Sequence, residues 1–131
     1  MAVRTWRANP LIYEINTWTW LHGLSERARQ RITLGNVPDE ELDALASWGL
    51  DAIWLMGVWE RSPASRKIAA EHPDLQAEYH RALPDYTPED ISDSPYAIRS
   101  YEVDSYLGGR AGLATLRERL AARGLRLILD F

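Results

Sequence analysis

The stretch that decides the fold is residues 49–58, which read GLDAIWLMGV. From Ala52 to Val58 the chain is apolar at almost every position, so it lacks the alternation of a strand with one wet face. Such a run is typical of a strand buried on both faces, as in a parallel sheet. We therefore predict a strand at 51–58, and Gly49 is placed to end a helix before it.

The same order of features occurs again later in the sequence. Residues 110–123 carry leucines at helical spacing, Gly124 follows as a stop signal, and residues 125–131 (LRLILDF) are again apolar. The earlier copy has its helix at about 39–48, opened by Pro38 and three acids that complement the helix dipole. A helix, a glycine and a buried strand, repeated, is the unit of α/β architecture.

Residues 11–16 (LIYEIN) predict a further strand at the start of the chain. The polar segment after it has no clear periodicity, and its structure stays open. The sequence as a whole predicts an α/β fold with about three parallel strands, two main helices and right-handed crossovers.

The connection at about 59–109 is long and contains five of the seven prolines. The prolines predict turns and at most short helices, with one helix at 74–83 that places Leu75, Tyr79 and Leu83 on a shared face. Long connections inside compact domains usually carry function. This one also leaves the carboxyl end of a strand, where α/β folds bind ligands, and it is therefore where we expect a site.

Composition excludes several classes of function. A hydrophobic share of 46% beside 26% charged residues is that of a soluble globular protein, and there is no transmembrane run or apolar signal segment, so we expect the cytoplasm. The net charge of -4 argues against nucleic-acid binding. The absence of cysteine excludes disulfides, thiolate zinc sites and thiol nucleophiles.

Six tryptophans and six tyrosines accompany a single phenylalanine. Rings with a polar handle stack well on the apolar faces of sugars, but large rings also fill cores. For most of the six tryptophans we predict a core position.

Several acids are candidates for the paired carboxylates of glycoside chemistry: Glu14, Glu60, Asp85, Glu89, Asp90, Asp93 and Asp130. The four between 85 and 93 are predicted to form a solvated face and helix caps. Asp130 differs, because it ends an apolar strand and would lie at the mouth of a barrel. A purely local role for Asp130, bonded to loop amides, is the equal alternative.

Two other features suggest no site. The three histidines, His22, His72 and His80, lack the spacing of metal ligands and are predicted to lie on the surface. Gly108 and Gly109 lack the lysine and hydroxyl residue of a phosphate loop and predict a turn into the second helix.

Five stretches follow one another along the chain: residues 11–15 (LIYEI), 49–55 (GLDAIWL), 94–101 (SPYAIRSY), 106–109 (YLGG) and 127–131 (LILDF). In this order and spacing they resemble the start of the alpha-amylase family of glycoside hydrolases. The resemblance covers nearly the whole chain and implies the N-terminal portion of a (β/α)8 TIM barrel. It therefore implies a retaining glycosidase or glucanotransferase acting on alpha-linked glucans or glucosides.

The resemblance also assigns residues. Tyr96 matches the tyrosine that stacks on the sugar at the cleavage subsite, Tyr101 matches the second tyrosine of that loop, and Asp130 matches the first residue of the third-strand motif. The chain departs from the family at Pro95 and Ala97, where many relatives have glycine and aspartate. The nucleophile and the acid/base glutamate belong to later strands of the family, so the resemblance implies no catalytic acid in these 131 residues.

These assignments predict a chain that is inactive alone, that binds sugar through Tyr96 and Asp130, and that needs no cofactor or metal, with calcium left open for a longer enzyme. We further expect residues beyond Phe131, and self-association through open strand edges. The alternative is a non-catalytic carbohydrate-binding or interaction module. A nucleotide-binding domain is disfavoured, because residues 16–20 (NTWTW) lack the required glycines.

Overall fold

The computed structural model describes residues 5–91 and 94–131, except for the side chain of Glu89. The chain divides into two compact units, and each is described by itself. The larger unit comprises Met1–Val58 and Val103–Phe131, and the smaller comprises Trp59–Glu102.

A three-stranded parallel sheet forms the centre of the larger unit. Its strands are β1 (Ile12–Asn16), β2 (Ala52–Met56) and β5 (Arg126–Leu129), in the order β1-β2-β5. The register pairs Ile15 with Leu55 and Leu55 with Leu129, so these side chains share one face of the sheet. The predicted parallel strands are confirmed, each within two residues of its predicted bounds.

The two main helices are also confirmed, as α2 (Asp39–Ser47) and α5 (Gly109–Ala122). Gly49 and Gly124 follow them with φ of 72° and 77°, which are left-handed values that glycine adopts without strain. Both helices precede strands that pair in parallel, and Arg119 of α5 donates to Asp39 of α2 at 2.7 Å, so the two helices lie on the same side of the sheet.

One helix of the larger unit was not predicted. Helix α1 (Thr17–Ala28) begins directly after β1, where Asn16 caps it by accepting a hydrogen bond from the Thr19 amide at 3.4 Å. It buries Leu21 and Leu24. Apart from Thr17 at its start, no other residue of the helix is fully buried, so its apolar face is too narrow to be clear in the sequence.

The smaller unit corrects the expectation of a loop at 59–109. It contains strands β3 (Trp59–Arg61) and β4 (Ile98–Val103), which pair in a two-stranded sheet, and helices α3 (Pro63–Glu71) and α4 (Pro73–Ala82). The prolines predict turns, but each of these helices has its proline in the first turn, where the missing N–H costs nothing. The helix predicted at 74–83 is confirmed as α4, which spans Pro73–Ala82.

The tryptophans do not form the core, and that prediction is wrong. None of the six is fully buried, and Trp6 and Trp48 are about half exposed, at 48% and 55%. Aliphatic side chains fill the interior instead, with the largest completely buried ones being Leu34, Leu42, Ile53, Leu55, Leu107, Leu116 and Leu120. Part of the reason is that a buried indole N–H group needs a hydrogen-bond acceptor. Among the described residues, the Nε1 atom of Trp54 is buried without an acceptor, although the residue as a whole is only half-buried.

The N-terminal segment is fixed to the sheet through Asp51. Arg7 Nε donates to both carboxylate oxygens of Asp51 at 2.9 and 2.8 Å, and the Leu11 amide donates to Oδ2 at 2.8 Å. These two donors, the arginine above all, lower the pKa of Asp51.

We expect Asp51→Asn to lower the melting temperature at neutral pH, because it removes the charge that Arg7 and Leu11 stabilise. A depressed folded-state pKa stabilises the fold above the unfolded value of about 4 and loses that contribution as the pH falls through the folded value. The difference in melting temperature between Asp51→Asn and the wild type should therefore shrink below pH about 4. A pH series of thermal melts measures it, and a pH-independent difference would contradict this origin.

Candidate functional site

The residues that follow β1, β2 and β5 meet at the carboxyl end of the parallel sheet. They include Thr17 and Trp18 after β1, Gly57 and Val58 after β2, and Asp130 after β5. In α/β folds this end of the sheet carries the ligand sites, because loops there can vary without disturbing the core.

The peptide groups of Gly57, which follows β2, bond to residues that follow the other two strands. Its N–H donates to Asp130 Oδ1 at 3.2 Å, and its carbonyl accepts a hydrogen bond from Trp18 Nε1 at 3.1 Å. Gly57 has φ of 80°, a conformation that costs a side-chain-bearing residue about 1–2 kcal/mol. One glycine therefore orients both the half-buried carboxylate and the indole.

The carbonyls at the end of β2 are satisfied by neighbouring segments. The hydroxyl of Thr17, which is completely buried, donates to the Met56 carbonyl at 2.8 Å. The Asp104 amide donates to the Val58 carbonyl at 2.9 Å. These bonds satisfy two carbonyls at the end of the sheet where Asp130 lies.

An aromatic stack lies at the same end of the sheet. The rings of Trp18 and Tyr106 are parallel within 6°, with centroids 5.2 Å apart. The Arg31 guanidinium carbon lies 4.4 Å from the Tyr106 centroid, and Arg31 Nη2 donates to the Tyr106 carbonyl at 2.6 Å. The stack was not predicted. The signal available in the sequence was the run of aromatic residues directly after β1.

The tyrosines assigned by resemblance lie in the smaller unit. Tyr96 is 63% exposed in a turn, where its amide donates to Ser94 Oγ at 3.2 Å. Tyr101 contacts Trp59 edge to face, with centroids 5.5 Å apart. The Tyr96 ring is thus accessible for stacking, whereas Asp130 belongs to the other unit.

The remaining acids have other surroundings. Asp90 caps a short 3-10 helix at Pro88–Asp90 by accepting from the Thr87 amide at 2.7 Å, as predicted for this cluster. Glu60 accepts from Ser100 Oγ at 2.8 Å, and Glu14 is exposed on β1. Asp85 is exposed, while Asp93 and the Glu89 side chain lie outside the described residues.

Two further features bear on ligands. Residues 5–91 and 94–131 contain no group of three or more histidine or acidic side chains that could hold a metal ion. The three histidines are exposed, as predicted.

Comparisons with known proteins add no assignment. None of the helices in the described part of the chain has the length and apolar character needed to cross a bilayer. A scan against models of protein families found no match to this chain, and a search of curated protein sequences found no significant match either.

Proposed function

We propose that the chain is the first part of a parallel α/β barrel that processes alpha-linked glucans or glucosides by a retaining mechanism. In this proposal, β1, β2 and β5 are the first three barrel strands, and the smaller unit is the long connection that follows the second strand. The fold supports the proposal as far as a three-stranded parallel sheet with a carboxylate at its carboxyl end.

The observation that carries the proposal is the position of Asp130. It follows a parallel strand and accepts a hydrogen bond from the Gly57 amide through one oxygen. A carboxylate oriented in this way can accept hydrogen bonds from sugar hydroxyls, since ionised carboxylates are strong acceptors. Separately, the resemblance assigns sugar stacking to Tyr96, whose exposed ring in the smaller unit offers an apolar surface to a pyranose.

The chain alone is expected to bind sugar weakly and to cleave none. Retaining hydrolysis takes a nucleophile and an acid/base about 5–5.5 Å apart, and the resemblance places both on later strands. Release of glucose from an alpha-glucoside by the purified 131-residue chain would contradict this part of the proposal.

Binding is tested by NMR titration with a linear α-1,4-linked glucooligosaccharide, with a β-1,4-linked one of equal length as the ligand control. We expect binding of the α-linked ligand only. Tyr96→Ala should weaken it about two- to twelvefold, if a sugar face contributes the roughly 0.5–1.5 kcal/mol of an aromatic pair. Trp48→Ala is the matched control and should leave binding unchanged, because Trp48 is similarly exposed, at 55%, but precedes β2 at the opposite end of the sheet.

A non-catalytic carbohydrate-binding module is the alternative, and the exposure of Tyr96 and Tyr101 favours it equally. The two proposals differ at Asp130. A barrel mouth predicts that Asp130→Asn weakens binding as Tyr96→Ala does. A binding module that uses only the smaller unit predicts that Asp130→Asn has no effect, provided that the variant melts like the wild type.

A further inference from the structure

A buried hydroxyl group lies at the carboxyl end of the parallel sheet. Among the described residues, Thr17 is the only polar residue that is fully buried, with 0% of its surface exposed. It is the first residue of α1 and comes directly after β1. Burying a hydroxyl costs free energy unless the group is hydrogen-bonded, so the bond that it makes indicates what it does.

The Thr17 hydroxyl and the Asp130 carboxylate bond to the same peptide group. Thr17 Oγ1 donates to the Met56 carbonyl at 2.8 Å. The peptide group of that carbonyl carries the Gly57 N–H, which donates to Asp130 Oδ1 at 3.2 Å. A chain of hydrogen bonds therefore runs from the hydroxyl, through one planar peptide group, to the carboxylate.

The order of the strands explains why this peptide group receives a side chain from each side. Thr17 follows the last residue of β1, so its hydroxyl reaches the Met56 carbonyl from the β1 side. Asp130 follows the last residue of β5, so its carboxylate reaches the Gly57 amide from the β5 side. Strand β2 lies between the two, and the peptide group that ends it connects them.

Hydrogen bonds in such a chain strengthen one another. A carbonyl that accepts a hydrogen bond polarises its peptide group and makes the N–H of that group a stronger donor. The bond from Trp18 Nε1 is different, because it goes to the Gly57 carbonyl, which belongs to the next peptide group. Thr17 is thus the residue whose side chain acts on the very peptide group that donates to Asp130.

We propose that Thr17 is a positioning residue for Asp130 and acts through the peptide group between Met56 and Gly57. Its hydroxyl holds that peptide group in the orientation in which the Gly57 amide meets the carboxylate. The inference rests on the proposed function, in which Asp130 binds sugar hydroxyls, and adds to it a residue that does not contact the ligand. A carboxylate held in one orientation before binding loses less conformational freedom when the sugar arrives.

The test compares Thr17→Val, which removes the hydroxyl and keeps the branched shape, with Thr17→Ser, which keeps the hydroxyl. Amide hydrogen exchange of Gly57 is measured by NMR relative to the amide of Ile53 in the middle of the same strand. Exchange should become about two- to tenfold faster in Thr17→Val, the factor that one hydrogen bond typically contributes, and should stay near the wild-type rate in Thr17→Ser. Thr115→Val is the matched control, because it removes a hydroxyl that donates to the Ala111 carbonyl in α5 and should leave Gly57 unchanged.

A double-mutant cycle with Asp130→Ala separates positioning from a general loosening of this end of the sheet. Asp130→Ala removes the acceptor, so Gly57 should exchange fast whether or not the Thr17 hydroxyl is present. An equal acceleration by Thr17→Val in the wild-type and Asp130→Ala backgrounds would overturn the proposal, as would an unchanged Gly57 rate in Thr17→Val. If Thr17→Val does not fold, Thr17→Cys takes its place in the cycle, because a thiol is only a weak donor.

Titration with the α-1,4-linked glucooligosaccharide gives the functional readout. Thr17→Val should weaken binding at most as much as Asp130→Asn does, and should add no loss in the Asp130→Asn background. An equal loss of affinity in both backgrounds would contradict a role that acts through Asp130. A wild type that binds no sugar would refute the proposed function, whereas the exchange rates of Gly57 would still decide whether Thr17 orients the amide that meets Asp130.

Discussion

Leu55→Ala is expected to destabilise the larger unit by about 2–5 kcal/mol. Leu55 is 0% exposed and lies in the central strand, with Ile15 and Leu129 as its register partners on either side. Removing its side chain loses the transfer free energy of the buried carbons and leaves a cavity between elements that parallel pairing holds in place. Neighbours can collapse into that cavity only by breaking the register.

Urea denaturation followed by circular dichroism measures this change, and Met56→Ala is the matched control. Met56 is the next residue of the same strand, projects from the opposite face and is only half-buried, so its truncation should cost clearly less. Equal losses for the two variants would contradict the burial difference. The Gly57 amide resonance gives a second readout, because it reports whether Asp130 remains hydrogen-bonded.

The parallel sheet was predictable because the central strand of such a sheet has apolar side chains on both of its faces. Strand β2 is flanked by two others and appears as an unbroken apolar run, although Trp54 and Met56 on one of its faces are only half-buried. Its helix is marked at both ends, by the acids at 39–41 and by Gly49. These signals are local, and their bounds were accordingly found within two residues.

The smaller unit was predictable only in part. Helix α4 was recognised from the shared face of Leu75, Tyr79 and Leu83, whereas α3 was not predicted, and neither helix buries a residue fully. Strands β3 and β4 are separated by 36 residues of sequence, and the pairing between them leaves no local pattern. Proline at the start of both helices then favoured turns, although it is equally typical of a helix N-terminus.

The candidate site also has one part that the sequence predicts and one part that it does not. The position of Asp130 at the end of an apolar strand could be inferred from seven consecutive residues. The contacts that orient it could not, because the Gly57 amide and Asp130 are 73 positions apart, and Gly57 and Trp18 are 39 apart. Gly57 orients Asp130 and Trp18 because the segments after β5 and β1 lie beside it. Neither segment is near Gly57 in the sequence.

Gly112→Val is expected to lower the free energy of unfolding by about 1–3 kcal/mol through overpacking. Gly112 is buried in α5, where a Cβ atom would lie 3.1 Å from the Gly35 amide nitrogen and 3.5 Å from Leu34 Cβ. Leu34 is completely buried, and its amide donates to the Leu107 carbonyl at 2.8 Å. This hydrogen bond ties the segment that Gly112 touches to the residues just before α5, so the segment cannot move away from the helix cheaply.

Ala114→Val is the matched control, because Ala114 is exposed on the same helix and the change there costs only helix propensity, under about 1 kcal/mol. Gly112→Ala separates the cost of overpacking by a Cβ atom from the gain in helix propensity. Alanine favours a helix over glycine by about 1 kcal/mol, so a variant no more stable than the wild type would mean that the 3.1 Å contact offsets that gain. Chemical denaturation compares all three variants. Equal losses in the free energy of unfolding for Gly112→Val and Ala114→Val would contradict the close approach of α5 to residues 34–35.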